Sequence, residues 1–216
     1  MMRINRFIAS SMGTSRRAAD ELIAAGHVKV NGQNASAGQE IIQNDNVTLS
    51  GKSLSLPQQT TTIMLNKPVG FVCSRVGQGS KTIYDLLPPE LHNLKPVGRL
   101  DKDSSGLILL SNDGQLAHRL THPSFQKEKL YKISLNKSLS DKDKRHIEKG
   151  LALSDGISSL KLEGENKSWL VTMSEGRNRQ IRRTFSALNY TIRDLRRIQF
   201  GSYMLGDLKE GQYLHI

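Results

Sequence analysis

The stretch GRLDKDSSGL, residues 98–107, leads directly into the apolar run ILL at 108–110 and the turn signal SNDG at 111–114. An apolar run bounded by turn signals predicts a buried strand, so the glycine-bounded segment before it is predicted to be a loop. Asp101 lies in that loop, and Arg99 precedes it by two residues. A carboxylate that a rigid sheet presents on a loop is a common arrangement for a catalytic group.

The composition favours a polyanionic partner. The chain has 216 residues and a formal net charge of +11, which attracts phosphate-bearing molecules. No apolar run reaches the ~18 residues that span a bilayer, and the apolar stretch at the N-terminus is too short for a secretory signal, so we expect a cytoplasmic protein without a membrane partner. The single cysteine, Cys73, suits a reducing compartment. His118 and His122 lack a third ligand, so we expect them on a surface and expect no metal site.

The positive charge is concentrated late in the chain. Residues 175–200 contain seven arginines against Glu175 and Asp194, whereas residues 151–174 carry a small negative charge and are expected to face away from the partner. Nucleic acid is the favoured partner. A DNA-binding protein is disfavoured because no recognition-helix pattern is present.

The first fifty residues predict two short helices followed by a hairpin. Ile4 and Ile8 have helical spacing, and Ser15 is a good N-cap for the second helix. The dipeptide NG at 31–32 is a strong signal for a two-residue hairpin turn.

The remaining pattern predicts an α+β fold. Residues 50–62 are polar and without periodicity, which indicates a linker, so the predicted domains are 1–50 and 62–216 with 51–61 between them. Strands interrupted irregularly by helices favour a mixed or antiparallel sheet in the larger domain. The predicted strands cover 62–65, 70–74, 107–111, 130–135, 169–174 and 198–200, and the predicted helices cover 83–87, 115–120, 141–149 and 179–188.

Residues 3–33 resemble the S4 RNA-binding domain. The family's Ser-Arg-Arg at the start of the second helix corresponds to Ser15, Arg16 and Arg17, and its hairpin corresponds to VKVNG at 28–32. The resemblance implies that Arg16, Arg17 and Lys29 contact RNA, and phosphate oxygens do bind well at a helix N-terminus. A solvated helix start is the alternative. Residues 1–50 sum to only +1, so such an RNA contact must be a local patch.

Four strings resemble pseudouridine synthases of the RsuA/RluB/RluE/RluF branch, and they occur in that family's order. They are LNKPVGFVCS at 65–74, GRLDKDSSGL at 98–107, KLYKISL at 129–135 and EGRNRQIRRTF at 175–185. The resemblance implies a small S4 domain followed by a larger catalytic domain. It also implies conversion of uridine to pseudouridine in ribosomal RNA without metal, ATP or other cofactor, by an enzyme that is usually monomeric.

The resemblance assigns roles to three residues of the predicted site. Asp101 matches the catalytic aspartate, Arg182 is the candidate for an ion pair with it, and Tyr131 matches the tyrosine that packs on the target base. Asp103 lies two residues from Asp101, so spacing alone does not separate the two acids. Tyr131 alternates in phase with two apolar residues, so a core tyrosine is its alternative interpretation.

Further basic residues are predicted to contact RNA. The family's residue two before the aspartate enters the stack that the extruded base leaves, and here it is Arg99. Arg177, Arg179 and Arg183 are predicted to meet phosphates, and Lys67 to line the same basic cleft. The alternatives are a loop anchor for Arg99 and solvated side chains for the outer arginines.

Two functional classes therefore remain. The leading hypothesis is an isomerase that modifies one uridine of ribosomal RNA. The S4-like segment and the charge would equally support a non-catalytic ribosome-assembly factor, and only the catalytic strings separate the two. The stretch NDGQLAHRLTHPS at 112–124 looks closest to RluB, which favours large-subunit over small-subunit rRNA.

Overall fold

A computed structural model describes residues 1–56 and 60–216 of the chain. By the clustering of its contacts the chain divides into two compact units, Met1–Thr61 and Thr62–Ile216. The fold class predicted from the sequence is confirmed: a small helical and hairpin unit precedes a larger unit with a mixed sheet.

The smaller unit forms where the sequence has helical spacing and a hairpin turn. Ser15 caps the second helix by accepting a hydrogen bond from the backbone of Ala18, and Asn31 and Gly32 adopt positive φ in the hairpin. Its elements are β1 (Met2–Arg3), α1 (Ile4–Ser11), α2 (Arg16–Ala24), β2 (Val28–Val30), β3 (Gln33–Asn34), β4 (Glu40–Ile41), β5 (Val47–Leu49) and β6 (Lys52–Ser53).

The predicted linker was placed too early. Lys52 and Ser53 form β6, which pairs with β5, and Leu54 packs on the core of the smaller unit. A polar strand at a sheet edge has no apolar alternation, so the sequence pattern does not distinguish it from a linker. Residues 57–59 of the predicted linker lie outside the described residues.

The larger unit consists of short helices around a sheet. Three segments form 3-10 helices: Ile83–Leu86, Pro89–Leu91 and Pro123–Phe125. The remaining elements are β7 (Thr62–Lys67), β8 (Lys95–Val97), β9 (Ser105–Ser111), α3 (Gly114–Thr121), β10 (Lys129–Leu135), α4 (Asp141–Lys149), β11 (Leu151–Leu153), β12 (Gly156–Ser158), β13 (Lys161–Glu165), β14 (Ser168–Met173), α5 (Gln180–Ser186), β15 (Ile192–Phe200), β16 (Tyr203–Met204) and β17 (Tyr213–His215).

The sheet brings distant parts of the sequence together at its centre. Within residues 60–216 its strands run in the order β13-β14-β10-β15-β9-β7-β17, with β8 on β9 and β16 on β15. Neighbouring strands are antiparallel except β9 and β15, which pair in parallel at Gly106 and Arg197. Arg197 also pairs with Tyr131 on β10. The loop between β8 and β9, which contains Asp101, therefore lies beside the middle of the sheet.

Two further predictions differ from the structure. Residues 70–74 form no strand: Val72 makes one isolated bridge to Thr82. The predicted helix at 83–87 is a 3-10 helix, Ile83–Leu86. Both segments carry apolar residues because they pack on the core, so burial and not regular pairing explains their pattern.

Candidate active site

A pocket of about 480 Å³ lies at the centre of the larger unit, a volume typical of sites for small organic groups. Asp101 lines it from the β8–β9 loop, and Tyr131 lines it from β10. The side chain of Asp101 is 33% exposed, so its carboxylate is accessible from the pocket. Other lining residues include Arg99, Lys129, Arg179, Leu195, Arg197 and Phe200.

Hydrogen bonds from several elements fix the loop that carries Asp101. The Lys67 ammonium donates to the carbonyl oxygen of Ser104 at 2.6 Å, and Gly70 N donates to that of Lys102 at 2.7 Å. Arg182 Nη2 donates to the carbonyl oxygen of Asp103 at 2.7 Å. The loop therefore presents the carboxylate in a defined position, as a reactive group requires.

The expected ion pair between Arg182 and Asp101 does not occur among the described residues. Arg179 Nη1 lies 3.6 Å from Asp101 Oδ2, whereas Arg182 Nε lies 3.2 Å from Asp103 Oδ2. Arg179 also donates two hydrogen bonds of 2.9 Å to the carboxylate of Asp103. Arg179 precedes the first residue of α5 with a φ of 47°, and this turn directs its side chain back over the loop, a direction that helical geometry does not predict.

The Asp103–Arg179 pair makes stability depend on pH. Because Arg179 donates hydrogen bonds to it, the pKa of Asp103 lies below its ordinary value of 3.8. A carboxyl group whose pKa is lowered by folding stabilises the protein at neutral pH, and this stabilisation is lost as the pH falls through the folded-state pKa. We expect Asp103→Asn to lower the free energy of unfolding at pH 7 by at most about 1 kcal/mol, since the pair is half-exposed.

Urea unfolding at a series of pH values measures this effect. The difference between wild type and Asp103→Asn should shrink as the pH falls below 3.8, the ordinary pKa of the group. Glu165→Gln, which removes an exposed carboxylate at the end of β13, is the matched control and should show a smaller difference at pH 7. A stability difference that widens on acidification would contradict the ion-pair interpretation.

Arg177 and Arg183 form ion pairs within the protein, and their predicted contact with phosphates stays a prediction. Arg177 Nη1 lies 2.9 Å from Asp155, and Arg177 Nη2 lies 3.1 Å from Glu175. Arg183 Nη2 lies 2.6 Å from the other oxygen of Asp155. The segment 151–174 supplies the carboxylate of Asp155 that both arginines bind. In this structure both arginines connect the β11–β12 hairpin to the start of α5.

The prediction that Lys67 lines the basic cleft is wrong. Its side chain is fully buried, and its ammonium donates to the carbonyl oxygens of Pro68 and Ser104. Burial lowers the pKa of Lys67, while the nearby Cys73, Asp101 and Asp103 oppose that shift. Lys67 therefore supports the loop from behind and is not available to a phosphate.

Two cationic residues of the pocket were missed. Arg197 is buried with 2% of its surface exposed; its Nε donates to the carbonyl oxygen of Leu107, and its guanidinium lies 4.7 Å from the centre of the Phe200 ring. Lys129 Nζ lies 5.5 Å from the same ring, and burial lowers its pKa. Lys129 is two residues before Tyr131, so strand alternation could have placed it beside the pocket. Arg197 lies in a run of basic residues, so alternation along the strand does not single it out.

The structure places the other predicted residues at the pocket or on the surface, and their roles stay predictions. Tyr131 is 8% exposed and packs with the core while its ring also lines the pocket. Arg99 is exposed at the edge of the pocket. In the smaller unit Arg16 and Arg17 are exposed at the start of α2, and Lys29 is exposed on β2.

Two further features are absent from the described residues. No group of three or more His, Cys, Asp or Glu side chains is placed to hold a metal ion. No helix there combines the length and the apolar character that crossing a membrane requires.

Comparison with known proteins identifies the class. The family model described as RNA pseudouridylate synthase matches residues 61–187, and that of the S4 domain matches residues 2–47. The chain belongs to the RNA pseudouridylate synthase family and carries an N-terminal S4 domain. The resemblance seen in the four sequence strings is thereby confirmed, and with it the interpretation of the chain as an enzyme.

Individual relatives cover almost the whole chain. Ribosomal large subunit pseudouridine synthase B of Vibrio cholerae is 33% identical over 98% of this chain and 74% of that protein. Ribosomal small subunit pseudouridine synthase A of Escherichia coli is 34% identical over 98% of this chain and 95% of that protein. A crystal structure of a pseudouridylate synthase superposes with a TM-score of 0.73 at 33% identity, covering 100% of this chain and 96% of that one.

Proposed function

We propose that this protein converts a specific uridine of ribosomal RNA to pseudouridine, with the carboxylate of Asp101 as its catalytic group. The supporting observation is the position of that carboxylate: it is accessible in a pocket of suitable volume, on a loop fixed from several sides, and 3.6 Å from a guanidinium nitrogen of Arg179. The relatives named for ribosomal RNA support the substrate class.

The reaction is an isomerisation in which the nucleoside neither gains nor loses atoms. One side chain can therefore serve as the catalytic group. The C1′–N1 bond of the uridine breaks, the uracil turns, and a C1′–C5 bond forms, while C5 loses a proton and N1 gains one. A carboxylate that acts as a nucleophile divides this rearrangement into two easier steps. The positive charge of Arg179 beside Asp101 offsets the loss of solvent around the carboxylate when a nucleoside fills the pocket.

The surrounding residues have supporting roles in this proposal. Tyr131 packs on the target base and assists removal of the C5 proton. Arg182, whose guanidinium donates to the carbonyl oxygens of Asp103 and Ile192, acts by positioning the catalytic loop. Arg99 at the pocket edge takes the place of the extruded base, which costs the RNA a few kcal/mol of stacking. In the S4 domain Arg16, Arg17 and Lys29 contact phosphates.

Mapping pseudouridine in cellular ribosomal RNA tests this function. We expect cells that lack the gene to lose one pseudouridine, and the purified protein to restore it in RNA from those cells. Large-subunit rRNA is the expected target, although relatives named for the two subunits are equally similar to this chain. If no site in either rRNA changed while the protein still bound ribosomes, the non-catalytic assembly factor would be the better account.

A further inference from the structure

Three aromatic side chains cluster on the surface at the C-terminal end of α3. The rings of His118 and His122 have centroids 4.7 Å apart, and the Phe125 ring meets them edge-on at 5.5 and 6.3 Å. Both histidines are exposed, and Phe125 keeps 42% of its surface accessible. We call His118, His122 and Phe125 the aromatic platform.

The platform is not needed to pack the core. Leu116, Ala117 and Leu120 supply the buried face of α3 and pack with the smaller of the two core clusters of this unit, whereas Phe125 belongs to none of the described clusters. An imidazole pair alone lacks the third ligand of a metal site. Exposed aromatic rings without a packing role are typical of a binding surface.

The platform adjoins the pocket. Thr121 and Pro123, which lie between its members in the chain, line the pocket that holds Asp101. A Cβ atom built on Gly98 would lie 3.6 Å from Thr121 Cγ2, so Thr121 lies next to the start of the loop that carries Arg99 and Asp101. When the reacting group of a bound molecule lies in the pocket, the parts of that molecule next to this group therefore lie near the platform.

The rings of the platform lie in a segment that also carries two cations. Arg119 and Lys127 are exposed, while the acidic residues that flank the segment are Asp113, at the opposite end of α3, and Glu128. Aromatic rings among cations are the arrangement by which proteins bind single-stranded RNA, because the rings stack on bases while the cations meet phosphates.

We propose that the aromatic platform stacks an unpaired base of the ribosomal RNA next to the target uridine. This inference rests on the proposed function, which it extends from the reacting nucleotide to its neighbour. A stacked neighbour holds the flanking backbone at the pocket edge, so the platform contributes to affinity and to the choice of site, and not to the chemical step.

Fluorescence offers a direct test, because the natural tryptophan, Trp169, is 5% exposed and far less accessible to a base. In an Asp101→Asn background, which prevents turnover, the tryptophan of Phe125→Trp should be quenched when unmodified 16S or 23S rRNA transcripts are added. The fluorescence of the parent Asp101→Asn should not change.

The affinity for the same transcripts should fall about tenfold in Phe125→Ala and Phe125→Leu and be retained in Phe125→Trp. Val76→Ala, which shortens an exposed apolar side chain elsewhere, should bind within about twofold of wild type.

A photoreactive benzoyl-phenylalanine at position 125 locates the contact. Its crosslink to rRNA should map within about three nucleotides of the pseudouridine that the wild-type enzyme forms, roughly the reach of neighbouring stacked bases. The proposal is overturned if Phe125→Leu binds like wild type, since apolar bulk and not stacking would then matter, or if the crosslink maps elsewhere. Failure of the proposed function is seen separately, as absence of pseudouridine with the wild-type enzyme.

Discussion

Asp101→Asn is expected to lower the rate of pseudouridine formation at least about a thousandfold, because the amide keeps the shape of the side chain and loses its nucleophilic charge. The affinity for rRNA transcripts should stay within about threefold of wild type, since the carboxylate contributes chemistry and not binding. Single-turnover rates followed by carbodiimide primer extension measure the first quantity, and filter binding measures the second.

Asp103→Asn is the matched comparison within the same loop. Asp103 is absent from the lining of the pocket and binds Arg179 and Arg182, so its loss should slow the reaction by about tenfold or less through altered positioning. Equal losses in the two variants would mean that the loop as a whole, and not one carboxylate, had been disturbed. Retention of more than a few per cent of activity in Asp101→Asn would show that the wrong residue was chosen.

Gly106→Ala is expected to destabilise the larger unit by at least about 3 kcal/mol, from backbone strain and overpacking together. Gly106 has a φ of 101°, and an added Cβ would lie 2.2 Å from the carbonyl oxygen of Arg197 and 2.8 Å from its nitrogen. These are backbone atoms of the paired strand, so they cannot move aside as a flexible side chain would. Thermal unfolding followed by the fluorescence of Trp169, which lies in this unit, should show a fall of roughly 10 °C or insoluble protein.

Gly114→Ala provides the control at the other end of β9. A Cβ there meets no atom within 4 Å, and the residue begins α3 without a positive φ. Alanine favours a helix over glycine by up to about 1 kcal/mol, so this variant should be as stable as wild type or slightly more stable. If Gly106→Ala and Gly114→Ala lowered the stability equally, the close approach of β9 to β15 would not be the cause of the loss in Gly106→Ala.

The candidate site could be predicted from the sequence in part. The family motif selected Asp101 over Asp103, and the structure gives that selection a physical meaning: one carboxylate lines the pocket and the other binds two arginines. Lys67 was predicted to line the basic cleft because it follows an apolar strand. Its burial depends on carbonyl oxygens supplied by the β8–β9 loop, which no local pattern predicts.

The sequence by itself determined the two-part α+β organisation, the hairpin and helices of the S4 domain, and the loop that presents Asp101. These follow from periodicity, turn residues and motifs, which act over a few neighbouring residues. The tertiary structure decided what each arginine of the segment 175–200 does. Arg179 faces Asp101, Arg177 and Arg183 bind Asp155, and Arg197 is buried against Phe200. The role of a long cationic side chain depends on the carboxylates and rings that folding brings within a few ångströms, and those partners lie on other strands and loops.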